Sequence, residues 1–205
     1  MFGFDADMIF RIPALLIALT VHEYAHARAA VSLGDPTPRL LGRLTLNPVA
    51  HLDPIGLIML WLFKFGWAKP VPINPSYFKN YRQDTLIVSL AGPVSNMLLA
   101  LVTYFLFILS KMLFLSSEWV KILEMLYSYN ILLAIFNLVP IPPLDGSKVL
   151  ASILPVKYEH IFEQMEQYGP FILMGLVYIG VIGIITYPFM SALDYIIKVI
   201  VFTIL

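Results

Sequence analysis

The sequence predicts an all-α polytopic membrane protein, with a three-helix core, one or two C-terminal membrane helices and a small strand or re-entrant region after the first helix. Hydrophobic residues make up 60% of the 205 residues and charged residues 13%, and the mean hydropathy is +0.83. Soluble domains are about half apolar and about a quarter charged. A soluble chain this short cannot bury such an excess, so the excess is expected to face lipid.

Apolar runs indicate where the membrane helices lie. The predicted helices cover about residues 8–33, 85–115, 119–139, 168–187 and 189–205. At 1.5 Å per residue, the first extends roughly 39 Å, enough to cross a bilayer. The last, after Pro188, suits either a crossing or a helix in the interface. Residues 147–167 are polar and predict an interfacial connector, and the whole chain is predicted to form one membrane-embedded domain.

The strand or re-entrant region is predicted at residues 34–82. Alternating apolar and polar residues at 39–46 are typical of short strands. The apolar run at 55–67 is only about 13 residues long, too short for a usual spanning helix and better suited to a re-entrant segment. Residues 68–75 are rich in proline, which favours an extended loop.

Charge and cysteine content exclude several classes of function. The formal net charge is zero and there is no basic stripe, so nucleic acid is not an expected partner. The chain has no cysteine, which excludes disulfides and thiolate metal sites. Any bound metal would be held by histidine, aspartate or glutamate.

His22 and His26 are four residues apart within the first apolar run. On a helix, this spacing corresponds to about 40° of rotation and about 6 Å of rise, so both imidazoles can share a metal. Glu23 lies about 100° round the helix, where it can reach a water at the metal without being a ligand. This is the H-E-x-x-H pattern of zinc proteases, with glutamate as general base. Chance spacing on a solvated or pore-lining face is the alternative, but such groups at membrane depth are costly and mark function.

Two histidines need a third protein ligand, because catalytic zinc sites use three. His51, His160 and the few acidic residues are candidates, and Asp145 is the best placed among them. It follows a proline-rich stretch at the end of an apolar helix and precedes Gly146. An ordinary Asp-Gly turn explains the same residues equally well.

Helix directions test whether Asp145 can reach the histidines. If the first helix runs from side A to side B of the membrane, His22 lies past its middle, nearer side B. Asp145 follows the run at 119–139, which must then also run from A to B. The chain therefore crosses back once, through 85–115, and the run at 55–67 must not span.

Basic residues indicate that side B is cytoplasmic. Side A carries Arg11 and Lys111, with Lys121 just inside the next helix. Side B carries Arg28, Arg39, Arg43, Lys64, Lys69, Lys79 and Arg82. An excess of lysine and arginine marks the cytoplasmic side.

These motifs resemble the site-2 proteases, a family that cleaves peptide bonds within membranes. His22-Glu23-Tyr24-Ala25-His26 matches the family's zinc motif, and residues 137–146 fit its N-x-x-P-x-x-x-L-D-G element. Three shorter elements resemble the short bacterial subgroup, namely Gly42-Arg43-Leu44-Thr45-Leu46-Asn47-Pro48, His51-Leu52-Asp53-Pro54 and Ala91-Gly92-Pro93-Val94-Ser95-Asn96. The resemblance covers about residues 15–150. We expect no room for the PDZ or CBS domain that other subgroups carry.

The resemblance implies a role for each matched residue. Zn2+ would be bound by His22, His26 and Asp145, and Glu23 would activate water. Asn137 would position the substrate or stabilise the oxyanion. Asn96 and His51 are candidates near the substrate, although a hydrogen bond within the bundle and a turn are alternatives that the residues leave open. Residues 66–75 would dock an unwound substrate segment.

The expected function is hydrolysis of peptide bonds in or near transmembrane segments of membrane-anchored protein substrates. The lipid bilayer is the other expected partner, and the resemblance implies the bacterial plasma membrane, with the site toward the cytoplasm. Ion or proton translocation through the His/Glu/Asp cluster is an alternative, but transporters typically have two matching halves and this chain has none. An inactive scaffold is a third interpretation. The intact Glu23 argues against it, because an inactive scaffold has no need of a general base.

Overall fold

The computed structural model describes residues 8–56, 68–155, 157 and 159–205, without the side chains of 159–164. The helices, in chain order, are α1 (Met8–Ser32), α2 (Thr37–Leu40), α3 (Tyr81–Met112), α4 (Ser117–Phe136), α5 (Asp145–Ile153), α6 (Glu159–Tyr178) and α7 (Val181–Ile204). Short 3₁₀ turns cover Pro48–His51 and Pro75–Tyr77. These residues contain no β-strand, only an isolated antiparallel bridge between Leu52 and Ala68.

Among the described helices, α1, α3, α4 and α7 are long and apolar enough to cross a membrane. Their outer surfaces carry large apolar side chains, such as Leu98 and Phe202, which are 60% and 63% exposed. Side chains of this kind on long helices are suited to contact with lipid. The predicted fold class, an all-α polytopic membrane protein, is confirmed.

Small residues bring α1 close to both α3 and α4. Ala14 and Ala18 pack against Leu126 of α4, and Ala30 packs in a cluster with Val88 of α3. All three alanines are fully buried. Small side chains let helix backbones approach closely, which is the packing that membrane helices favour. The metal motif of α1 thus faces the other two core helices.

The C-terminal helices are divided at a different residue than predicted. Pro188 lies inside α7, and α6 takes in part of the connector predicted at 147–167. The break falls at Gly180, whose φ of 79° suits glycine and ends α6. Proline is tolerated inside a membrane helix because neighbouring groups satisfy the carbonyl that it frees. The assignment of the whole chain to one domain stays a prediction.

The strands predicted at 39–46 do not form. Thr37–Leu40 is a helical turn with a proline in its first positions, a place where the fixed φ of proline suits a helix. Gly42 follows it with a φ of 68°. A short strand also needs a partner strand, and the described residues supply none.

Burial explains why the alternating pattern at 39–46 was misleading. Leu40, Leu41 and Leu46 are exposed, whereas Arg43 is buried. The apolar side chains therefore point away from the protein, and the alternation does not mark a core-facing surface. Of the re-entrant segment predicted at 55–67, residues 57–67 lie outside the described part of the chain, so that prediction is untested.

Asp194, in the middle of α7, makes a polar contact with the helix core. Its carboxylate accepts a hydrogen bond from the Tyr127 hydroxyl of α4 at 2.7 Å. It also pairs with Lys198, one turn along α7, at 2.7 Å. The surroundings are apolar, with Ile197 packed in a cluster with Tyr104 of α3. Because an intramembrane carboxylate needs such partners, this contact sets how α7 is rotated against α3 and α4.

Replacing Tyr127 by phenylalanine is expected to lower the free energy of unfolding by about 1 kcal/mol, a size typical of hydrogen bonds between membrane helices. The loss stays small because Asp194 keeps its ion pair with Lys198. Thermal unfolding in detergent measures the effect. Tyr178→Phe, at a side chain that is 91% exposed, is the control. Unchanged unfolding of Tyr127→Phe would mean that the contact does not stabilise the bundle.

Candidate metal centre

Three potential metal ligands meet where α1 faces α3 and the start of α5. The Nε2 atoms of His22 and His26 are 3.1 Å apart. Asp145 Oδ2 lies 3.2 Å from the first and 3.1 Å from the second. In a tetrahedral zinc site with bonds of about 2.0–2.1 Å, neighbouring ligand atoms are about 3.3 Å apart. The triangle is thus close to the size of one face of a zinc site.

Asp145 is brought to the histidines by the tight backbone between α4 and α5. The amide of Gly146 donates a hydrogen bond to the carbonyl of Asn137 at 2.6 Å. A Cβ on Gly146 would overlap the backbone carbonyls of Leu138 and Val139. Only glycine permits this approach, which holds Asp145, the first residue of α5, in front of α1.

The outer nitrogen of each imidazole is held by α3. His26 Nδ1 donates to the carbonyl of Val88 at 2.7 Å, and a carbonyl oxygen only accepts. His22 Nδ1 lies 2.6 Å from Asn96 Oδ1. The amide nitrogen of Asn96 donates to the carbonyl of Ala18 at 3.1 Å, so the amide oxygen is the atom that faces His22. Both imidazoles therefore carry their proton on Nδ1.

The inner side of the site consists of hydrogen-bond acceptors. With Nδ1 protonated, each Nε2 presents a lone pair, and neither ring can donate to the other. The carboxylate of Asp145 adds a third acceptor at the same distance. Acceptors this close repel one another unless a cation lies between them. The site thus offers two imidazole nitrogens and one carboxylate oxygen, and hydrogen bonds hold the outer nitrogens of both rings. This donor set fits Zn2+.

Gly92 of α3 leaves the space that both imidazoles occupy. A Cβ built on it would overlap His26 Nε2 and come within 2.6 Å of His22 Nε2. Any other residue at this position would push the rings away from Asp145. Gly92 is therefore part of the site, although it offers no ligand atom.

Glu23 lies beside the triangle of ligands and lines the same cavity. Its Oε2 accepts a hydrogen bond from the backbone amide of Val71 at 3.0 Å. Val71 is buried and lies in the proline-rich loop before α3. The carboxylate of Glu23 is thus oriented by a segment outside the helix core.

The loop that carries Val71 is anchored by Arg43. The guanidinium donates to the carbonyl of Lys69 at 2.5 Å and lies 3.5 Å from His51 Nδ1. His51 in turn donates through Nε2 to the carbonyl of Thr45 at 2.9 Å, and its own carbonyl accepts from the Lys69 amide at 2.9 Å. His51 is 2% exposed and lies in this anchor rather than in the cavity.

A cavity of about 500 Å³ lies beside the three ligands, within the range usual for binding pockets. Asn137 and Glu23 line it, and their roles toward a substrate and a metal stay predictions. Two proline-rich segments contribute to the wall through Pro70, Val71, Ile73, Pro142 and Pro143. The wall also includes three charged side chains that are not among the potential ligands, namely Arg82, Lys148 and Glu166.

Asn96 was a candidate near the substrate, with a hydrogen bond inside the bundle as the alternative, and its contacts in the structure are those of the alternative. It is fully buried, it is not part of the cavity wall, and its amide is used by His22, Ala18 and Asn130. Its contacts are those of a residue behind a metal ligand. The side chain of His160 lies outside the described part of the structure.

Val71, Gly92 and Asn130 belong to the site or its support, and sequence reasoning did not find their roles. Val71 and Gly92 both lie in segments that the sequence singled out, but their contacts with Glu23 and with the two imidazoles join residues far apart in the chain and were not predicted. Asn130 had one available signal, because it is an amide within an apolar membrane helix.

The site combines an H-E-x-x-H helix with a carboxylate that is distant in the sequence, and it lies inside a bundle of membrane helices. This combination defines the class of membrane zinc metalloproteases.

Comparisons with known proteins agree with this class. The model of Peptidase family M50 matches residues 108–180. The chain is 36% identical over 192 residues to the "Putative zinc metalloprotease YwhC" of Bacillus subtilis, which covers 90% of this chain and 87% of that protein. It is 30% identical over 176 residues to the "Putative zinc metalloprotease Rip2" of Mycolicibacterium smegmatis, covering 82% of this chain and 66% of that protein. No solved structure matches the chain significantly.

The chain belongs to peptidase family M50, the site-2 proteases, as its motifs predicted. It is an integral membrane zinc metalloprotease of this family, and Zn2+ is its cofactor. The assignment of individual ligands and of the catalytic base stays a prediction.

Replacing Gly92 by alanine is expected to abolish zinc binding, because the added methyl group takes the space of both imidazoles. The zinc content of protein purified in detergent, measured by elemental analysis, checks this. Gly183→Ala is the matched control, since a Cβ there meets no atom within 4 Å and zinc content should not change. Full zinc content in Gly92→Ala would contradict the ring positions described above.

Proposed function

We propose that this protein hydrolyses peptide bonds in or near the membrane-spanning segments of membrane-anchored protein substrates. The observation that carries the proposal is one cavity that contains Glu23 and the triangle of His22, His26 and Asp145, in a bundle of membrane helices. Membership in family M50 supports peptide hydrolysis. The position of the site among α1, α3 and the end of α4 supports substrates that are themselves in the membrane.

His22, His26 and Asp145 would hold the metal through Nε2, Nε2 and Oδ2. Bound zinc supplies a Lewis acid that polarises a peptide carbonyl and makes water more acidic. All three side chains line the cavity, so a substrate carbonyl has access to the side of the triangle that the protein leaves open. Such an open position distinguishes a catalytic zinc site from a structural one.

Glu23 would act as the general base. Its carboxylate accepts a proton from the attacking water and then donates that proton to the nitrogen of the leaving amine. The hydrogen bond from Val71 at 3.0 Å holds one carboxylate oxygen and so fixes the orientation of the group. Asn137, also in the cavity wall, would hold the substrate carbonyl or the oxyanion that forms from it.

The loop at 68–75 would bind an unwound stretch of the substrate. A substrate helix keeps its carbonyls in hydrogen bonds, so it must extend before attack. Pro70 and Pro72 have no amide hydrogen, and the amide of Val71 is used by Glu23. A substrate strand that pairs with residues 70–72 would therefore donate its own amides to the carbonyls of the loop, a form of strand addition.

Water would reach the site from side B, which we propose is the cytoplasmic side of a bacterial plasma membrane. The cavity wall carries three charged residues, Arg82 at the start of α3, Lys148 in α5 and Glu166 in α6. A polar wall of this kind admits water where apolar helices would exclude it. The larger number of basic residues on side B supports the orientation.

Replacing Glu23 by glutamine is expected to reduce cleavage of a membrane-spanning reporter at least a hundredfold, because general base catalysis contributes about 10²–10⁴-fold. Zinc content should stay unchanged, since Glu23 is not among the proposed ligands. Purified protein and reporter in detergent, with cleavage followed by gel electrophoresis and mass spectrometry, provide the measurement.

Asp145→Ala is the companion variant and is expected to lose both zinc and cleavage. Cleavage that survives Glu23→Gln would remove Glu23 as the base. Full zinc content in Asp145→Ala would remove Asp145 from the ligand set.

Single cysteines can test the orientation directly, because the chain has none of its own. Ser76, in the loop on side B, and Ser116, between α3 and α4 on side A, are both exposed. In intact spheroplasts, a membrane-impermeant maleimide should label Ser116→Cys, and it should label Ser76→Cys only after lysis. The opposite pattern would invert the proposed orientation, and labelling of both from outside would mean that α3 does not span.

A further inference from the structure

Asn130 is a buried polar residue that the proposed mechanism does not use. It lies in α4, one of the helices long and apolar enough to cross the membrane, and none of its surface is exposed. A polar side chain in such a place is costly and marks a role in function or packing. Its hydrogen bonds indicate which role.

The amide group of Asn130 is fixed in one orientation. Its Nδ2 donates to the carbonyl of Leu126, one turn earlier in α4, at 2.7 Å. A carbonyl oxygen accepts and cannot donate, so the nitrogen faces Leu126 and the oxygen faces α3. There Oδ1 accepts a hydrogen bond from Asn96 Nδ2 at 2.7 Å.

Asn96 connects the amide of Asn130 to His22, so its own orientation depends on that of Asn130. Its amide nitrogen uses one hydrogen on Asn130 Oδ1 and the other on the carbonyl of Ala18. The amide oxygen is therefore the atom that faces His22 Nδ1, at 2.6 Å. An oxygen in this position requires the proton on Nδ1, which leaves the lone pair of Nε2 for a metal.

We infer that Asn130 is a positioning residue for zinc, which sets the direction of the hydrogen-bond chain through Asn96 to His22. This inference rests on the proposed role of His22 as a zinc ligand. Without the oxygen of Asn130, Asn96 loses one of its two acceptors, and a flipped amide becomes accessible. In the flipped orientation the amide donates to Nδ1 and favours the proton on Nε2, which weakens metal binding, while the remaining hydrogen bond to Ala18 retains part of the original orientation.

A purely structural role for Asn130 predicts a different result. If the amide only joins α3 to α4, its removal lowers stability, but the folded protein binds zinc as tightly as before. Zinc affinity of the folded protein therefore distinguishes the two roles.

Zinc affinity of the full chain in detergent, measured by competition with a chromophoric chelator, is the test. Asn130→Leu has a similar shape but no amide, and it should bind zinc about tenfold more weakly, as substitutions behind a ligand do. Asn130→Asp keeps an oxygen that accepts from Asn96 and should recover most of the affinity. Thr103→Val is the matched control, because its buried hydroxyl donates to carbonyls of its own helix. It should bind zinc like the wild type.

The visible spectrum of the cobalt-substituted protein is a second readout, since it reports on the ligands themselves. It should change in Asn130→Leu and not in Thr103→Val. If Asn130→Leu does not fold, Asn130→Ser replaces it, because a serine hydroxyl bonds the carbonyl one turn earlier and is too short to reach Asn96. Wild-type affinity and spectrum in the folded variant, or an equal loss in Thr103→Val, would overturn the inference.

His22→Ala in the same assay separates this inference from the proposed function. Wild-type zinc affinity in His22→Ala would overturn the proposed ligand set. Loss of zinc in His22→Ala without any loss in Asn130→Leu would overturn the role of Asn130 alone.

Discussion

A polar group that is buried between membrane helices is stable only with a partner inside the bundle, because lipid supplies none. His22 and His26 meet this requirement through Asn96 and the carbonyl of Val88, both on α3. The same hydrogen bonds decide the chemistry of the site. They place the protons on the outer nitrogens and leave the inner nitrogens as acceptors, next to the carboxylate of Asp145. The hydrogen bonds that join α1 to α3 are thus the same ones that prepare the site for a cation.

The proposed ligands can meet only because glycine and alanine at certain positions leave space for them. Gly92 makes room for both imidazoles, and Gly146 lets the chain fold back closely enough to present Asp145. Buried alanines at 14 and 18 let α1 lie close to α4. In a membrane protein such close approach replaces the hydrophobic driving force that holds soluble helices together. Small residues are therefore as necessary to the site as the residues that hold the metal.

The proposed base and the proposed ligands are held by different parts of the molecule. The histidines are fixed by the core helices, whereas Glu23 is oriented by Val71 in a loop that Arg43 and His51 anchor. The cavity lies between these two supports. A substrate that pairs with the loop would thus lie next to the residue that positions the proposed base, while the proposed metal ligands are carried by the helices.

The sequence by itself determined the membrane location, the family and the placement of His22 and His26 on one face of a helix, because these depend on composition and on the local spacing of a helix. It was misleading at 39–46, since alternation does not tell which side of a segment is buried. Only the tertiary structure decided that Asp145, and not His51, reaches the histidines. It also decided between the two alternatives for Asn96, because it places this residue behind His22 and inside the bundle. These features depend on contacts between residues far apart in the chain, and local pattern carries no information about such contacts.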